Sequence, residues 1–420
     1  MGDDKEHGCT ANFYWLPAPT NWPFAGISLL CRSMSKVSTL SGSVLTQPHQ
    51  PIRALIKAGK NREAIAQLTA ILKARPDDPA ARELLFDALT EERDFAPALA
   101  LAEGLLKAQP DSKRYLKFVT FTLSNLKRFP EAIAYARRYI EQHGEDLVIL
   151  DVLKVACFYS GKIDEAIGYG QRGLSIRDAE ARRHSPKMAV TPPLGRTGRH
   201  VISYSLWGTA PFYSYGAMIN LVLSRTIYPG WTCRFYVGAT VPKPCIDFLA
   251  ANGGELFEIE KDYPGVGLFQ RFLVMNDPTV ERFLVRDCDA RLSAVEADLT
   301  NEWISSDFPF HAVRDHVLHN ELMIGCLWSG RTDCGIDIVE LMRQYFTGGP
   351  NAKYGHDQRM LGTKLWPLIR ERCLVHDKYY SLPGVHTVPL RDPNTRLGAG
   401  HQHMPDILKE LDRLGIPRVL

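Results

Sequence analysis

The chain has 420 residues, of which 45% are hydrophobic and 23% charged, and its formal net charge is +3. This composition is typical of globular proteins, and the length exceeds what one hydrophobic core normally organises, so we expect two domains. The small net charge and the lack of a basic block in the sequence give no indication of nucleic-acid binding. The sequence has no uninterrupted run of about 18 apolar residues, so we expect no membrane span.

The nine cysteines are scattered without CxxC pairs or Cys/His ligand spacing. This pattern indicates neither a zinc site nor a disulfide framework, and it favours a reducing, cytoplasmic location. Residues 1–48 contain turn formers and isolated aromatics without periodicity, and a second methionine, Met34, lies among them. We interpret this leader as disordered or non-native.

A period of 34 residues organises the next part of the chain. Four alanines recur at this interval, namely Ala64, Ala98, Ala132 and Ala166. Each alanine precedes Ile or Leu, and Pro76, Pro110 and Gly144 follow the first three at equal distances. Small residues let helices approach closely and proline or glycine ends them, so the pattern predicts stacked helix pairs. It resembles the tetratricopeptide repeat and predicts an all-α solenoid over residues 49–178.

The repeats depart from the family pattern at one position in the first helix of each unit. Phe86, Thr120 and Lys154 stand where the family prefers a small residue. Stacks of this kind bind peptides, dimerise or hold another domain, so the sequence does not identify their ligand. Residues 179–199 are polar, basic and proline-bearing, which predicts a linker.

The pattern changes after residue 199 from helices alone to short apolar strands that alternate with helical stretches. This alternation predicts an α/β domain with a mostly parallel sheet over residues 200–395, followed by a C-terminal tail with a short helix over 396–420. Ligands of such sheets bind beyond the carboxyl ends of the strands. Chemistry-bearing residues are therefore sought at the ends of the predicted strands.

Two aspartates follow the strand predicted around Phe283 to Val285. Asp287 and Asp289 form the only Asp-x-Asp pair in the chain. Both carboxylates can face a divalent cation, and Mg²⁺ and Mn²⁺ favour oxygen ligands. Three nearby arginines are candidates for neutralising a phosphate, since a guanidinium can donate paired hydrogen bonds to it. They are Arg271, Arg286 and Arg291, with ordinary salt bridges as the alternative.

Three stretches resemble a bacterial family of GT-A glycosyltransferases with the core motif RD.DSRL. They read VISYSLWGTAPFYSYGAMINLVL, FQRFLVMNDPTVERFLVRDCDARLSAVE and EWISSDFPFHAVRDHVLHNELMIGCLWSG. The resemblance covers about residues 200–390 and implies a Rossmann-like GT-A domain that binds a nucleotide-sugar donor through Mn²⁺ or Mg²⁺. Ala290 replaces the usual serine and Val295 the usual arginine, so a donor contact or a supporting salt bridge is in doubt.

The resemblance implies roles for particular residues. Asp289 is assigned as the direct metal ligand, and Asp287 contacts ribose or sugar hydroxyls and also the ion through water. His376, at the end of an apolar strand, is a candidate third ligand because many GT-A enzymes return a histidine to the ion; strand capping is the alternative. Asp315, in the Arg-Asp-His run after the strand FHAV, is expected to touch substrate, with a local ionic cluster as the alternative.

Asp357 and Gln358 begin a predicted apolar helix. They resemble the Asp-Gln pair at the acceptor side of retaining transferases of the glycogenin type, which lies beside the anomeric carbon. If the enzyme inverts, Asp357 is instead a candidate for the base that deprotonates the acceptor hydroxyl. A helix-capping role is the alternative for both residues, and the stereochemistry stays open.

Together these patterns predict metal-dependent transfer of a sugar from a nucleotide-diphosphate sugar to a glycan, lipid or protein acceptor. The repeats are expected to position that acceptor or a protein partner. One alternative is an interaction protein with an inactive α/β domain, although Asp287 and Asp289 are retained. A second alternative is nucleotidyl transfer, which normally uses a glycine-rich loop, whereas SLWGTAPFY after the first strand is poor in glycine.

Overall fold

The computed structural model of the chain describes residues 49–259, 267–347, 355–390, 397–398 and 400–420. The leader expected at 1–48 lies outside these residues. An N-terminal helical domain precedes an α/β domain. The helices of the first domain are α1 (Gln50–Lys57), α2 (Asn61–Ala74), α3 (Pro79–Glu91), α4 (Phe95–Ala108), α5 (Lys113–Asn125), α6 (Phe129–His143), α7 (Leu147–Tyr159) and α8 (Ile163–Arg183).

The 34-residue period reappears in the caps that begin the first helix of the second, third and fourth helix pairs. Asp78, Ser112 and Asp146 each accept a hydrogen bond from a backbone N–H in the first turn of α3, α5 and α7. Such caps satisfy donors that the helix leaves free. The periodic alanines are fully buried between the helices, which confirms the predicted close packing.

The last helix of the repeats is longer than the others and enters the second domain. Helix α8 has 21 residues and continues to Arg183, beyond the expected start of the linker at 179. Its residues Leu174 and Ala181 belong to the same hydrophobic cluster as strands and helices of the α/β domain. The final turns of the repeats are therefore part of the second core.

The α/β domain contains a mixed sheet of eight strands. They are β1 (Arg199–Leu206), β2 (Trp231–Val237), β3 (Glu255–Glu258), β4 (Val280–Arg286), β5 (Phe310–Arg314), β6 (Trp328–Arg331), β7 (Cys373–Asp377) and β8 (His386–Pro389). Their order is β3-β2-β1-β4-β6-β5-β7-β8. Strand β6 pairs antiparallel with β4 and β5, and the other described pairings are parallel. The predicted, mostly parallel sheet is confirmed.

Helices cover both faces of this sheet. They are α9 (Pro211–Ile227), α10 (Lys243–Ala251), α11 (Ala294–Ile304), α12 (Ile338–Phe346), α13 (His356–Met360), α14 (Trp366–Ile369) and α15 (Met404–Leu414), with a 3₁₀ helix at Gly267–Asn276. One hydrophobic cluster joins α12, α13 and α14 to α8, and a separate one contains α9, α10 and α15. Within the described ranges no helix has the length and apolar character needed to cross a membrane.

Helix α8 lies directly against the α/β domain through polar contacts and a close backbone approach. Asp178 accepts hydrogen bonds from Trp366 Nε1 at 2.8 Å and from Arg370 Nε at 3.1 Å. A Cβ at Gly170 would overlap the hydroxyl of Tyr380. The absence of a side chain at Gly170 therefore sets how closely the two domains can pack.

Two glycines of α8 provide a matched test of this interface. Gly170→Ala is expected to lower the free energy of unfolding by about 2 kcal/mol, because the added methyl overpacks against Tyr380. Gly168→Ala adds the same methyl where no atom lies within 4 Å, and should raise stability by about 0.5–1 kcal/mol through helix propensity. Urea denaturation of the full chain measures both. Equal changes in the free energy of unfolding for the two variants would contradict the close approach of Gly170 to Tyr380.

The pH dependence of the repeat domain provides a second test. Burial raises the pKa of Asp87 to about 7, Glu83 and Glu91 add to this shift, and Arg114 and Arg53 oppose it. A carboxyl whose folded pKa exceeds its unfolded pKa is destabilising once ionised, so stability falls as pH rises between about 4 and 7. We expect Asp87→Asn to stabilise the protein by about 2 kcal/mol more at about pH 8 than at about pH 5. A pH-independent effect in thermal unfolding would refute this.

Candidate functional site

The Asp-x-Asp pair lies where the strand order of the sheet reverses. Strand β1 pairs in parallel with β2 on one side and with β4 on the other. Asp287 and Asp289 follow directly after the carboxyl end of β4. In open α/β sheets this reversal leaves a crevice beyond the strand ends, which is the usual ligand position.

Arg271 joins two carboxylates that are distant in sequence. Its guanidinium is buried and donates from Nη1 to Asp287 Oδ1 and from Nη2 to Asp357 Oδ2, the latter at 2.9 Å. The backbone of Arg271 is fixed by β1, because its N–H donates to Ser205 Oγ and its carbonyl accepts from Ser203 Oγ. The first strand therefore positions the arginine, and the arginine positions both aspartates.

Asp357 lies at the start of α13 and is buried. Burial raises its pKa, and the charge of Arg271 opposes that shift. A Cβ at Gly325 would overlap Asp357 Oδ2, so the backbone after β5 approaches this carboxylate closely. Gln358, the next residue, is half-buried. The structure thus brings Asp357 together with Asp287 on the two sides of the Arg271 guanidinium.

Asp289 is enclosed by the C-terminal segment. Its backbone carbonyl accepts from the N–H of His401 at 2.8 Å, and its Oδ2 accepts from Gln402 Nε2 at 3.1 Å. Burial, followed by the charge of Asp287, raises the pKa of Asp289 to about 6. The sequence analysis did not assign His401 or Gln402 to the site. The one local feature that could have indicated them is the polar stretch that precedes the last helix.

The structure gives two of the proposed phosphate-binding arginines other partners. Arg286 is buried and donates from Nε to Glu296 Oε1 at 2.5 Å. Glu296 therefore supplies a salt bridge although Val295 replaces the family's arginine. Arg291 donates from Nε to Glu410 Oε2 on α15 at 2.8 Å. Both side chains join parts of the fold, and Arg291 Nη1 also donates to the backbone carbonyl of Asp289 at 3.3 Å. Of the three arginines, Arg271 is the one that pairs with aspartate carboxylates.

Asp315 is buried with both carboxylate oxygens occupied. Its Oδ1 is 2.7 Å from His319 Nδ1, and its Oδ2 accepts from the backbone N–H groups of Leu397 and Gly398. These hydrogen bonds outweigh the effect of burial, so the pKa of Asp315 is lowered. The residue connects the loop after β5 to residues 397–398, and this position matches the local cluster rather than a substrate contact.

The expected metal ligand His376 requires a correction. It is buried within β7, with its Nδ1 2.8 Å from His311 Nε2 and its Nε2 3.3 Å from Glu302 Oε2 on α11. Strands β6 and β5 separate β7 from β4 in the sheet. Among the residues that the structure describes, no three His, Cys, Asp or Glu side chains are arranged to hold a metal ion. The structure therefore does not bring His376 into one site with Asp287 and Asp289.

Comparison with known proteins identifies the first domain. A family model of the tetratricopeptide repeat matches residues 55–120. The N-terminal domain is a tetratricopeptide-repeat solenoid. The helix pairs, caps and buried alanines described above continue the repeats through α8, so the resemblance noted in the sequence is confirmed for this domain. No curated protein matches the chain.

Solved structures similar to the chain include repeat proteins and one larger enzyme. A tetratricopeptide-repeat protein from Thermus thermophilus has 18% identity over 32% of this chain and 78% of its own, with a TM-score of 0.28. MamA from Desulfovibrio magneticus has 15% identity over 37% of this chain and 97% of its own, with a TM-score of 0.29. A mutant O-GlcNAc transferase from Thermobaculum terrenum has 12% identity over 94% of this chain and 74% of its own, with a TM-score of 0.33.

The bridge made by Arg271 leads to a stability prediction. Arg271→Met should lower the free energy of unfolding by about 3 kcal/mol at neutral pH, because it leaves buried Asp357 without its cation. A second substitution, Asp357→Asn, should recover part of that loss, since it removes the unpaired charge. Urea denaturation of both single variants and the double variant measures this coupling. Arg225→Met, which removes an exposed guanidinium, is the control, and additive effects of Arg271 and Asp357 would contradict the bridge.

Proposed function

We propose that the α/β domain transfers a sugar from a nucleotide-diphosphate sugar to an acceptor, with a divalent cation at Asp287 and Asp289. The observation that carries this proposal is the convergence of three carboxylates and one guanidinium at the carboxyl ends of β1 and β4. Asp287 and Asp289 lie in the turn after β4, Asp357 lies at the start of α13, and Arg271 is buried between Asp287 and Asp357. The resemblance to GT-A glycosyltransferases supplies the reaction class, with Mn²⁺ or Mg²⁺ as the ion.

The charge balance of this cluster fits a divalent ion. With all groups ionised, three carboxylates face the Arg271 guanidinium, and the described hydrogen-bond partner of the Asp289 carboxylate is the neutral amide of Gln402. An ion would offset the repulsion that Asp287 exerts on Asp289. Two aspartates leave most positions of a six-coordinate ion open, and donor phosphates and water are proposed to fill them. When bound, the ion would stabilise charge on the departing nucleoside diphosphate.

The chain's own residues have distinct proposed roles. Asp289 is proposed to hold the ion directly, while Asp287, whose side chain is 36% exposed, also reaches donor hydroxyls. Arg271 keeps Asp287 oriented and adds positive charge near the diphosphate. Asp357, with its raised pKa, is suited to accept a proton from an acceptor hydroxyl or to lie beside the sugar with Gln358.

The repeats are proposed to position a glycan, lipid or protein acceptor, or a protein partner. The described repeats contribute buried contacts to the second domain, and they also present polar side chains such as Arg114 and Lys117 on the helices that precede that contact. Repeat solenoids use such surfaces to bind extended ligands.

The test is metal-dependent hydrolysis of a panel of nucleotide sugars by the purified full chain. We expect one donor to be hydrolysed only with Mn²⁺ or Mg²⁺, and Asp289→Asn to lower that rate by roughly a hundredfold or more while the unfolding transition is retained. Asp298→Asn is the matched control, because it makes the same change at an exposed aspartate on α11.

Two outcomes would overturn the proposal. The first is an unchanged metal dependence in Asp289→Asn with the active donor. The second is an absence of metal binding and of hydrolysis across the whole panel, which would favour an interaction protein with an inactive α/β domain.

A further inference from the structure

One connection of the α/β domain contacts both the last repeat and the candidate site. We call residues 315–327, between β5 and β6, the bridging segment. It contains no strand and no helix along its length. Its first half is packed against α7 and α8, and its second half lies beside Arg271 and Asp357. The sequence gives no indication that this segment contacts both the last repeat and the candidate site.

The first half of the bridging segment completes the hydrophobic core of the repeats. Val317 is 1% exposed and belongs to the repeat-domain core cluster. Leu318 packs against Phe121, Val148 and Val155, which belong to α5 and α7. These contacts cover a face of α7 that would otherwise present apolar side chains to water.

A buried polar network fixes the same half of the segment. Lys154 Nζ donates to Asn320 Oδ1, and Asn320 Nδ2 donates to the carbonyl of Gly170 at 3.4 Å. Arg177 on α8 pairs with Glu321 at 3.2 Å and with Asp151 at 2.6 Å. Buried charges are costly unless they are paired, so this network specifies one position for residues 320–321. It also explains why a lysine occupies a repeat position that usually holds a small residue.

The second half of the bridging segment lies against the aspartate cluster. Gly325 approaches Asp357 so closely that a Cβ there would overlap the carboxylate. Cys326 is buried, and after burial the charge of Asp287 contributes most to raising the pKa of its thiol. A displacement of the segment would therefore change the surroundings of both aspartates that Arg271 joins.

We propose that the fourth repeat, formed by α7 and α8, holds the bridging segment in place and thereby positions Asp287, Arg271 and Asp357. Lys154 and Leu318 act in this as positioning residues, because neither contacts the aspartate cluster itself. The consequence for activity rests on the proposed function, while the structural coupling does not depend on it. The repeats are thus a component of the site as well as an acceptor surface.

Thiol labelling of the full chain tests the coupling without substrate or metal. Cys326 reports on the bridging segment, and Cys245, buried on α10 in a separate core cluster, reports on general loosening. We expect Lys154→Met and Leu318→Ala to increase labelling of Cys326 by N-ethylmaleimide at least tenfold, as located by mass spectrometry. Labelling of Cys245 should stay within twofold of the unmodified protein, because buried thiols react through local opening.

Two further variants are matched controls. Thr120 occupies the position of Lys154 in the preceding repeat, and its hydroxyl donates within its own helix, so Thr120→Val should leave Cys326 labelling within twofold. Leu318→Met conserves volume and should restore slow labelling. Unchanged Cys326 labelling in Lys154→Met and Leu318→Ala, or equal acceleration of Cys326 and Cys245, would overturn the inference.

Turnover of the active donor then connects the coupling to the site. We expect Lys154→Met and Leu318→Ala to lower kcat for Mn²⁺-dependent hydrolysis at least tenfold, while Thr120→Val retains it. A protein that shows the expected labelling but hydrolyses no donor would refute the proposed function and leave the coupling intact. Variants with fast Cys326 labelling and unchanged kcat would refute the positioning role.

Discussion

The buried guanidinium of Arg271 is the interaction on which the candidate site depends. An isolated charge at this depth would be strongly unfavourable, so Arg271 requires the carboxylates of Asp287 and Asp357. In return it joins the turn that follows β4 to Asp357, which lies 86 residues after Arg271 in the sequence. Asp289 lies outside this pairing, and the cluster therefore carries more negative than positive charge. That imbalance is the physical reason to look for a cation at this edge of the sheet.

Features set by local periodicity were predictable from the sequence. The 34-residue repeat and the strand before Asp287 appear where they were predicted, because helix packing and buried strands leave their own spacing in the chain. The direction of side chains at the strand ends was not predictable. Arg286 and Asp287 are adjacent, yet one points into the core toward Glu296 and the other toward Arg271. Successive strand residues face opposite sides, so an error of one residue in the strand end reverses the assignment.

Contacts between distant parts of the chain could not be predicted from the sequence either. Gln402 reaches Asp289 across 113 residues, and Lys154 reaches Asn320 across 166. Such pairs depend on the order of strands and on how α8 enters the second domain, which no local pattern encodes. The position of His376 was not predictable for the same reason, because the sheet order places two strands between β7 and β4. The sequence showed that Lys154 departs from the repeat pattern, but it did not indicate that Asn320 is its partner.

The two domains stabilise each other at the last repeat. A solenoid needs a cap at its end, since the final repeat would otherwise expose the face that the next unit covers. Here the bridging segment covers Val148, whereas the equivalent position 34 residues earlier holds Arg114, whose side chain is 35% exposed. The change from polar to apolar at this position marks where the repeats stop facing solvent and begin to face the α/β domain.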